Sequence, residues 1–415
     1  MVLKETISYY KQHQSPVFCT FLDATKAFDR LHYCKLFKLL LKRQLPVHIL
    51  RVLINLYTNS SVRVAWGGIT SDYFSVANGV KQGAVLSPVL FCVYIDDLLI
   101  LLTKSGFGCY IGTYFVGALA YADDIVLVAP TATALRQMLA ICESYAEEYR
   151  ICFNTSKTKC LVVIPSCRRA LTEYFQSCVF YVANKPIEFV NSFSHLGHLF
   201  TSEFCDDEDI IKSRSIFIRQ TNNTLCYFRK LHSFVLYRLF QSYCTSMYGC
   251  ELWLLSNHNI ECLCVAWRKG LRRIWNLPTC THTRLLPLVS HCLPLFDEIC
   301  RRSLNFIRTC VLHDSALISF VARYGVFYAR GLSILGQNVL FCTQRYERSI
   351  HYVMNNPVDG LINSFVFNSV DYESHIAANL LIESLMLRDH VLCFSNGFSL
   401  SHNELNEIIN YICLS

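Results

Sequence analysis

The sequence predicts an α+β chain in which an antiparallel sheet with packed helices is followed by a mostly helical second half, and three observations carry that prediction. Two apolar runs, Gly117–Ala120 and Ile125–Val128, flank Tyr121-Ala122-Asp123-Asp124 and read as strands joined by a turn that carries two adjacent acids. Pro16–Leu22 reads as a buried strand ending at Asp23. Between Thr131 and Arg150 the apolar residues Leu135, Met138, Leu139, Cys142, Ala146 and Tyr149 recur with the 3.6-residue period of a helix, and from Asp206 onward helical periodicity dominates.

The remaining elements follow in order. Lys4–Gln14 reads as a helix leading into the first strand, and Ala24–Asp29 turns into a second helix after it. Val62–Trp66 and Tyr73–Ala77 read as strands added around the sheet. Asn78 to Pro88 is a glycine-bounded loop that runs into an apolar helix from Ser87 to Leu102. Leu161–Ile164 closes the sheet, and Val179–Val182 with Ile187–Val190 reads as a hairpin. A last helix is expected near Ser401, where Glu404 three residues on completes a capping box.

Chemistry concentrates on the acids. Two carboxylates about 4 Å apart repel by roughly 4 kcal/mol at an effective dielectric near 20, which protonation or a cation must relieve. Hard oxygen donors of this kind suit Mg²⁺, which is usually held by one or two carboxylates together with substrate phosphates. Asp23, at the end of another strand, is the natural third acid for phosphoryl transfer. Tyr94-Ile95-Asp96-Asp97 repeats the pattern of Tyr121 to Asp124, but it lies within one uninterrupted helix where the two acids point about 100° apart. It therefore reads as a helix face paired with nearby bases.

Taken in order, Leu22-Asp23-Ala24-Thr25-Lys26-Ala27-Phe28-Asp29, the loop from Asn78 through Gln82 and Gly83 to Pro88, and Tyr121-Ala122-Asp123-Asp124 resemble motifs A, B and C of the reverse-transcriptase palm. The first is most similar to polymerases of non-LTR (LINE-type) retrotransposons. Asn154-Thr155-Ser156-Lys157-Thr158 resembles motif D, and Phe193-Ser194-His195-Leu196-Gly197 resembles motif E, the primer grip, where the family usually has tyrosine at the position of His195. Ser246–Trp253 is similar to the thumb of the LINE polymerases, and Trp267–Pro278 to the segment after it. The similarity extends over roughly residues 1 to 310.

This resemblance implies an RNA-directed DNA polymerase that extends a primer 3′-hydroxyl by two-metal nucleotidyl transfer, with an RNA template, a DNA primer and deoxynucleoside triphosphates as partners. It implies two Mg²⁺ ions, replaceable by Mn²⁺, at Asp23, Asp123 and Asp124. Phe28 falls where the family has an aromatic gate against the sugar 2′-hydroxyl; its plain alternative is core packing. Gln82, Gly83 and Tyr121 fall beside the incoming nucleotide, and His195, Leu196 and Gly197 at the primer. Lys157 corresponds to a lysine near the triphosphate that donates a proton to pyrophosphate, the alternative being a solvated turn residue. The implied organisation is a palm with motifs A to D over 1–165, a hairpin with motif E over 166–204, a thumb over 205–256 and a helical C-terminal region over 257–415.

Composition agrees with a folded protein. Hydrophobic residues make up 53% of the 415 and charged residues only 17%, which excludes a disordered tail. No apolar run reaches the length of a membrane span and the first residues carry charge, so the expectation is an intracellular protein of nucleus or cytoplasm, neither secreted nor membrane-bound. The 22 cysteines are scattered without a paired framework, as suits a reducing compartment. Cys262 with Cys264, and the group Cys280, His282, His291 and Cys292, lack the repeated knuckle spacing of a zinc site and read as packing residues. From Lys212 to Cys310 there are 14 Lys and Arg against four acids, with Phe217, Tyr227, Phe228, Trp267 and Trp275 interleaved. That combination suits a surface tracking a nucleic-acid backbone.

Only 22 residues precede Asp23, where the family has a long fingers region with triphosphate-clamping bases. The fingers are therefore expected to be largely missing, which reads as truncation before motif A. The second functional hypothesis is accordingly a catalytically inactive retroelement relic that binds nucleic acid or a protein partner.

Overall fold

The computed structural model describes residues 1–81, 83–165, 167, 178–393, 406, 407, 409, 410 and 413. They divide into two compact units, Met1–His195 with Thr201–Phe204, and Leu196–Phe200 with Cys205–Ser415.

The first unit is organised by strand β1 (Val17–Leu22), whose six side chains are all buried. A buried run of this kind, apolar but for Thr20, is stable only where both faces of a sheet are covered. The short strands β2 (Ser61–Val62), β3 (Ala65–Trp66), β4 (Ile69–Thr70) and β5 (Phe74–Ser75) intervene before a small hairpin, β6 (Tyr110–Ile111) with β7 (Tyr114–Phe115). Then come β8 (Ala118–Tyr121), β9 (Asp124–Ala129) and β10 (Lys159–Val163). β1 pairs antiparallel with β9 on one side and β10 on the other; β8 extends the sheet beyond β9. The far edge is β13 (Glu188–Phe189), which runs parallel to β10 after the hairpin of β11 (Tyr181–Val182) and β12 (Lys185–Pro186).

Among the described residues of this unit the helices are α1 (Val2–Gln12), α2 (Ala27–Arg30), α3 (Tyr33–Lys42), α4 (Val47–Thr58), α5 (Ser87–Ser105) and α6 (Ala132–Tyr149). α6 starts where the Thr131 hydroxyl accepts from the Ala134 amide, satisfying one orphan donor, and stops at Arg150 in the left-handed conformation. α5 carries Pro88 in its first turn and ends at Gly106, also left-handed. The two helices are fastened together by Tyr94, which donates to the Tyr149 carbonyl at 2.6 Å, and Tyr145, which donates to the Tyr94 carbonyl at 2.7 Å. Leu90, Phe91, Leu98, Leu127, Leu135 and Met138 fill the core between helices and sheet.

Two expectations need correction here. The runs Val62–Trp66 and Tyr73–Ala77 do not join the main sheet: β2 pairs with β5 and β3 with β4, making a ribbon that turns at Gly67-Gly68. Their β-branched and aromatic residues favour extended backbone, but the partner each run finds is the other. The hairpin expected from Val179–Val182 and Ile187–Val190 is shorter and closes as β11–β12 around Ala183-Asn184, both at positive φ. Pro186 has no amide to continue a ladder, and the following residues join β10 instead.

Strands β14 (Ser192–His195) and β15 (His198–Thr201) form a hairpin whose two-residue turn, Leu196-Gly197, has φ of 48° and 81°. The boundary between the units runs through it. The second unit is helical among its described residues outside this hairpin, with α7 (Asp207–Phe228), α8 (Ser233–Cys244), α9 (Asn259–Ile274), α10 (Leu285–Val289) and α11 (Leu295–Val311) followed by α12 (Ala316–Arg323), α13 (Ile334–Arg345), α14 (Ile350–Asn355), α15 (Val358–Asn368) and α16 (Tyr372–Cys393). Trp253, Trp275, Phe217 and Phe240 are among its largest fully buried side chains. The helix expected from Ser401 lies outside the described residues. No described helix is long and apolar enough to cross a membrane.

Candidate functional site

β1 and β9 bring the acids to one sheet edge. Their register pairs Leu22 with Ile125, so one step further Asp23 falls opposite Asp124. β8 and β9 are joined by Ala122-Asp123 alone, with Ala122 at φ 53°, so Asp123 sits in the turn and Asp124 opens the strand. The adjacent acids are thus divided between turn and strand rather than sharing the turn. Burial, and then the negative charges of Asp123 and Asp23, push the Asp124 carboxyl above its ordinary range. That response is the one expected of an acid crowded by like charges at the edge of a core.

The chain around Asp23 is stitched to the segment after α6. The Asp23 carbonyl accepts from the Asn154 amide at 2.7 Å, and the Thr25 amide donates to the Cys152 carbonyl at 2.7 Å. The Asn154 side chain in turn accepts from the amides of Ser156 and Lys157. This local turn orients Lys157, whose Nζ lies 3.8 Å from Asp23 Oδ1.

The glycine loop packs on the other flank. The Val80 amide donates to the Phe28 carbonyl at 2.7 Å and the Gly79 amide to the Leu31 carbonyl at 2.8 Å. Gly79 has φ +88°, and a Cβ there would sit 2.7 Å from the Asp29 carbonyl oxygen, so only glycine permits the approach. Gly83 also has positive φ, but open space surrounds it. Gln82 lies outside the described residues. Phe28 is half-buried, its ring centroid 5.0 Å from that of Phe91, and Tyr121 is exposed at the end of β8.

Asp96 and Asp97 are elsewhere engaged. Both lie within α5 and face α3, where Arg43 reaches Asp96 at 2.7 Å and Asp97 at 3.1 Å while Lys42 reaches Asp97 at 2.9 Å. Their like charges are neutralised by Lys42 and Arg43.

His195 ends β14 with its ring 5.3 Å from Phe21. Burial pulls its imidazole down to about 4, so it is neutral at physiological pH. Leu196 and Gly197 form the turn beyond it.

One set of residues escaped the sequence reading. His198, Asp206 and Asp209 are buried together in the second unit, with His198 Nδ1 3.1 Å from Asp209 and Nε2 3.8 Å from Asp206. Asp209 also accepts from the Leu199 amide at 3.0 Å and from Trp253 Nε1 at 2.7 Å, while Asp206 accepts from the Leu254 amide at 2.8 Å. The acids at 206–209 look in sequence only like a helix start, and nothing local marks a partner at Trp253.

Among the described residues, no three His, Cys, Asp or Glu side chains are arranged to hold a metal ion by themselves. A Mg²⁺ site does not require such a set, since phosphates and waters complete its shell. Hard oxygen donors and a carboxyl strained by like charge at one edge fit such an ion. Cys109, Cys142 and Cys160, by contrast, behave as buried hydrophobes, burial pushing each thiol up to about 12, whereas Cys262 and Cys280, expected to be packing residues, are exposed to water.

Residues 2–199 match the family described as reverse transcriptase (RNA-dependent DNA polymerase). The chain is 29% identical over 182 residues to the Retrovirus-related Pol polyprotein from type-1 retrotransposable element R2 of Nasonia vitripennis, an alignment covering 44% of this chain and 17% of that protein. It is 36% identical over 118 residues to the Retrovirus-related Pol polyprotein from type-2 retrotransposable element R2DM of Drosophila melanogaster, covering 28% and 11%. Over 88 residues it is 34% identical to the Probable RNA-directed DNA polymerase from transposon X-element of the same fly, covering 21% and 10%. The chain thus aligns with less than a fifth of each of these three relatives.

Proposed function

Because residues 2–199 belong to the reverse-transcriptase family, with non-LTR retrotransposon polymerases among their relatives, we propose that the chain is the core of an RNA-directed DNA polymerase that extends a primer 3′-hydroxyl on an RNA template. The observation that carries this reading is the β1–β9 register, which sets Asp23 opposite Asp124 with Asp123 in the adjoining turn.

Asp23, Asp123 and Asp124 are the residues that would hold Mg²⁺. When bound, two such ions supply activation of the attacking hydroxyl and stabilisation of charge on the leaving oxygen. The chain's own groups do the rest. Lys157 brings a cation beside Asp23 and is suited to hold a proton for the departing pyrophosphate. Phe28, fixed against Phe91 and through its carbonyl to Val80, occupies space that a ribose 2′-hydroxyl needs, favouring deoxynucleotides. Gly79 seats its own end of the glycine loop on the helix that follows Asp23, and Gly83, with Gln82 outside the described residues, is assigned to the incoming nucleotide and template base. The β14–β15 turn, with His195, Leu196 and Gly197, is assigned to the primer.

A primer-extension assay on an RNA template with Mg²⁺ or Mn²⁺ tests this, run beside a salt titration of duplex binding. Extension that disappears in Asp123→Asn while duplex binding persists is the expected result. Binding by the unaltered chain without any extension would instead select the inactive, nucleic-acid-binding relic.

A further inference from the structure

A cavity of about 580 Å³ lies wholly within the second unit, between α9, α10, the start of α11 and the end of α15. Its size falls in the range of small-molecule sites. Glu261, Cys264, Trp267 and Arg268 reach it from one face of α9, as positions i, i+3, i+6 and i+7 of a helix do.

Aromatic and charged groups meet there. Trp267, Phe296, Phe365 and Phe367 line the cavity, and the Arg345 guanidinium lies over the Phe296 ring, 4.9 Å from its centroid. A flat cation and a ring thus share one stack. Beside them stands a carboxylate that is almost fully buried: Asp297 keeps only 5% of its side chain exposed. Its Oδ1 accepts from Arg345 Nε at 3.1 Å, from Arg345 Nη2 at 3.0 Å and from the Tyr346 hydroxyl at 2.8 Å. Among the described residues, Oδ2 accepts no hydrogen bond. A buried carboxylate oxygen without a protein donor is costly, and in a cavity wall a ligand N–H can take the place of water on it.

That acceptor selects the edge of the ligand. Unpaired bases are recognised by stacking on aromatic rings or guanidinium planes and by hydrogen bonds to their Watson–Crick edges. Guanine sets two N–H donors, N1 and the exocyclic N2, side by side on that edge. Uracil and thymine flank a single N–H with two carbonyls, which a carboxylate repels, and adenine and cytosine place a ring acceptor beside the amino group. Arg268 and Arg284 select the remainder. Each guanidinium carries five N–H donors; Arg268 spends one on Glu261 at 2.5 Å, and Arg284 stands 3.6 Å from Asp371 with 68% of its side chain exposed. With Arg345 they set three cations against the two carboxylates of the wall, Glu261 and Asp297, a balance that receives a phosphate.

We propose that this cavity binds one guanine nucleotide, its base stacked among the aromatic side chains and donating to Asp297, its phosphate held by Arg268 and Arg284. Free guanosine monophosphate and an unpaired guanosine of an RNA strand offer the same chemistry. The assignment stands apart from the polymerase reading, because every residue in it belongs to the second unit.

Isothermal titration of the full chain tests it, in chelator so that no metal-held nucleotide contributes. The ligands are the four ribonucleoside monophosphates, an oligouridine and the same oligouridine with one central guanosine. Support is binding of a guanine ligand at least roughly tenfold tighter than its counterparts, with that preference abolished in Asp297→Asn. Arg284→Ala and Phe367→Ala should each weaken binding by roughly tenfold with an unchanged thermal melt, and they decide the matter if Asp297→Asn does not fold. Binding of the monophosphate as tight as that of the guanosine-bearing strand identifies a free nucleotide, and much tighter binding of the strand identifies RNA. Equal affinity for all four bases, absence of binding in both arms, or binding untouched by Arg284→Ala and Phe367→Ala would overturn the proposal. Guanine-selective binding by a chain that extends no primer would uphold it while refuting the polymerase reading.

Discussion

The Lys157 ammonium lies 3.8 Å from a carboxylate oxygen of Asp23, joining the turn after α6 to the end of β1. Both groups meet water, with 68% and 33% of their side chains exposed, so the pair contributes only a few tenths of a kcal/mol. A role in chemistry and a role in stability therefore separate cleanly. Lys157→Ala should shift unfolding free energy by less than about 0.5 kcal/mol and leave duplex affinity unchanged, while slowing single-nucleotide incorporation by roughly tenfold to a hundredfold. Rapid-quench kinetics beside denaturant melts would decide it; an unchanged incorporation rate would return Lys157 to the status of a solvated turn residue.

Asp124 gives a signed pH dependence. Its folded carboxyl is raised above the ordinary 3.8, so as pH rises through the interval between those values the unfolded chain releases its proton first and stability falls. Above the interval the cost is fully present. Asp124→Asn should therefore melt higher than the unaltered chain near neutral pH in chelator, with no advantage in acid well below 3.8. Mg²⁺ should narrow the neutral-pH gap, because it stabilises only the chain that retains the carboxylate.

His195 behaves oppositely. Burial lowers its folded value to about 4 from 6.5, so the unfolded chain binds the extra proton between those limits and stability falls as pH drops through them. Replacing it by Gln should flatten that part of the stability–pH curve. An identical slope in His195→Gln would show that the ring is more solvated than its place against Phe21 implies.

Two glycines of one loop should respond unequally. Gly79→Ala meets the Asp29 backbone at 2.7 Å as well as an unfavourable φ, and should cost more than about 2 kcal/mol. Gly83→Ala carries only the conformational penalty of about 1 kcal/mol, since nothing lies within 4 Å of its Cβ. Equal losses in urea melts would contradict the close approach at Gly79.

Phe28 links packing to selectivity. Phe28→Ala removes its contact with Phe91 and should cost roughly 1–3 kcal/mol while raising the ratio of ribonucleotide to deoxynucleotide incorporation. A loss of stability with an unchanged ratio would leave the ring as core alone.

Elements whose signal is local were readable in the sequence. The apolar period of α6 placed that helix, and the run of β1, apolar but for Thr20, announced a buried strand. The uninterrupted helical pattern around Asp96 and Asp97 explained why these acids do not share an edge with Asp23. Their partners Lys42 and Arg43 were not readable, because a surface pairing between helices leaves no periodic trace. The same reason hid the buried association of His198 with Asp206, Asp209 and Trp253: each looks locally like a turn residue, a helix start or a core aromatic. Strand propensity was present in the ribbon from Ser61 to Ser75, yet propensity does not say which strand is the neighbour.

That ribbon also offers an experimental handle. At its tip, Gly67 and Gly68 have no atoms of other residues within 4 Å of where side chains would project, and the flanking β3 and β4 bond only to each other. A short peptide epitope or a fluorescent dye attached between these glycines would leave the five-stranded sheet undisturbed, allowing the protein to be immobilised or followed at single-molecule resolution without touching either end of the polypeptide.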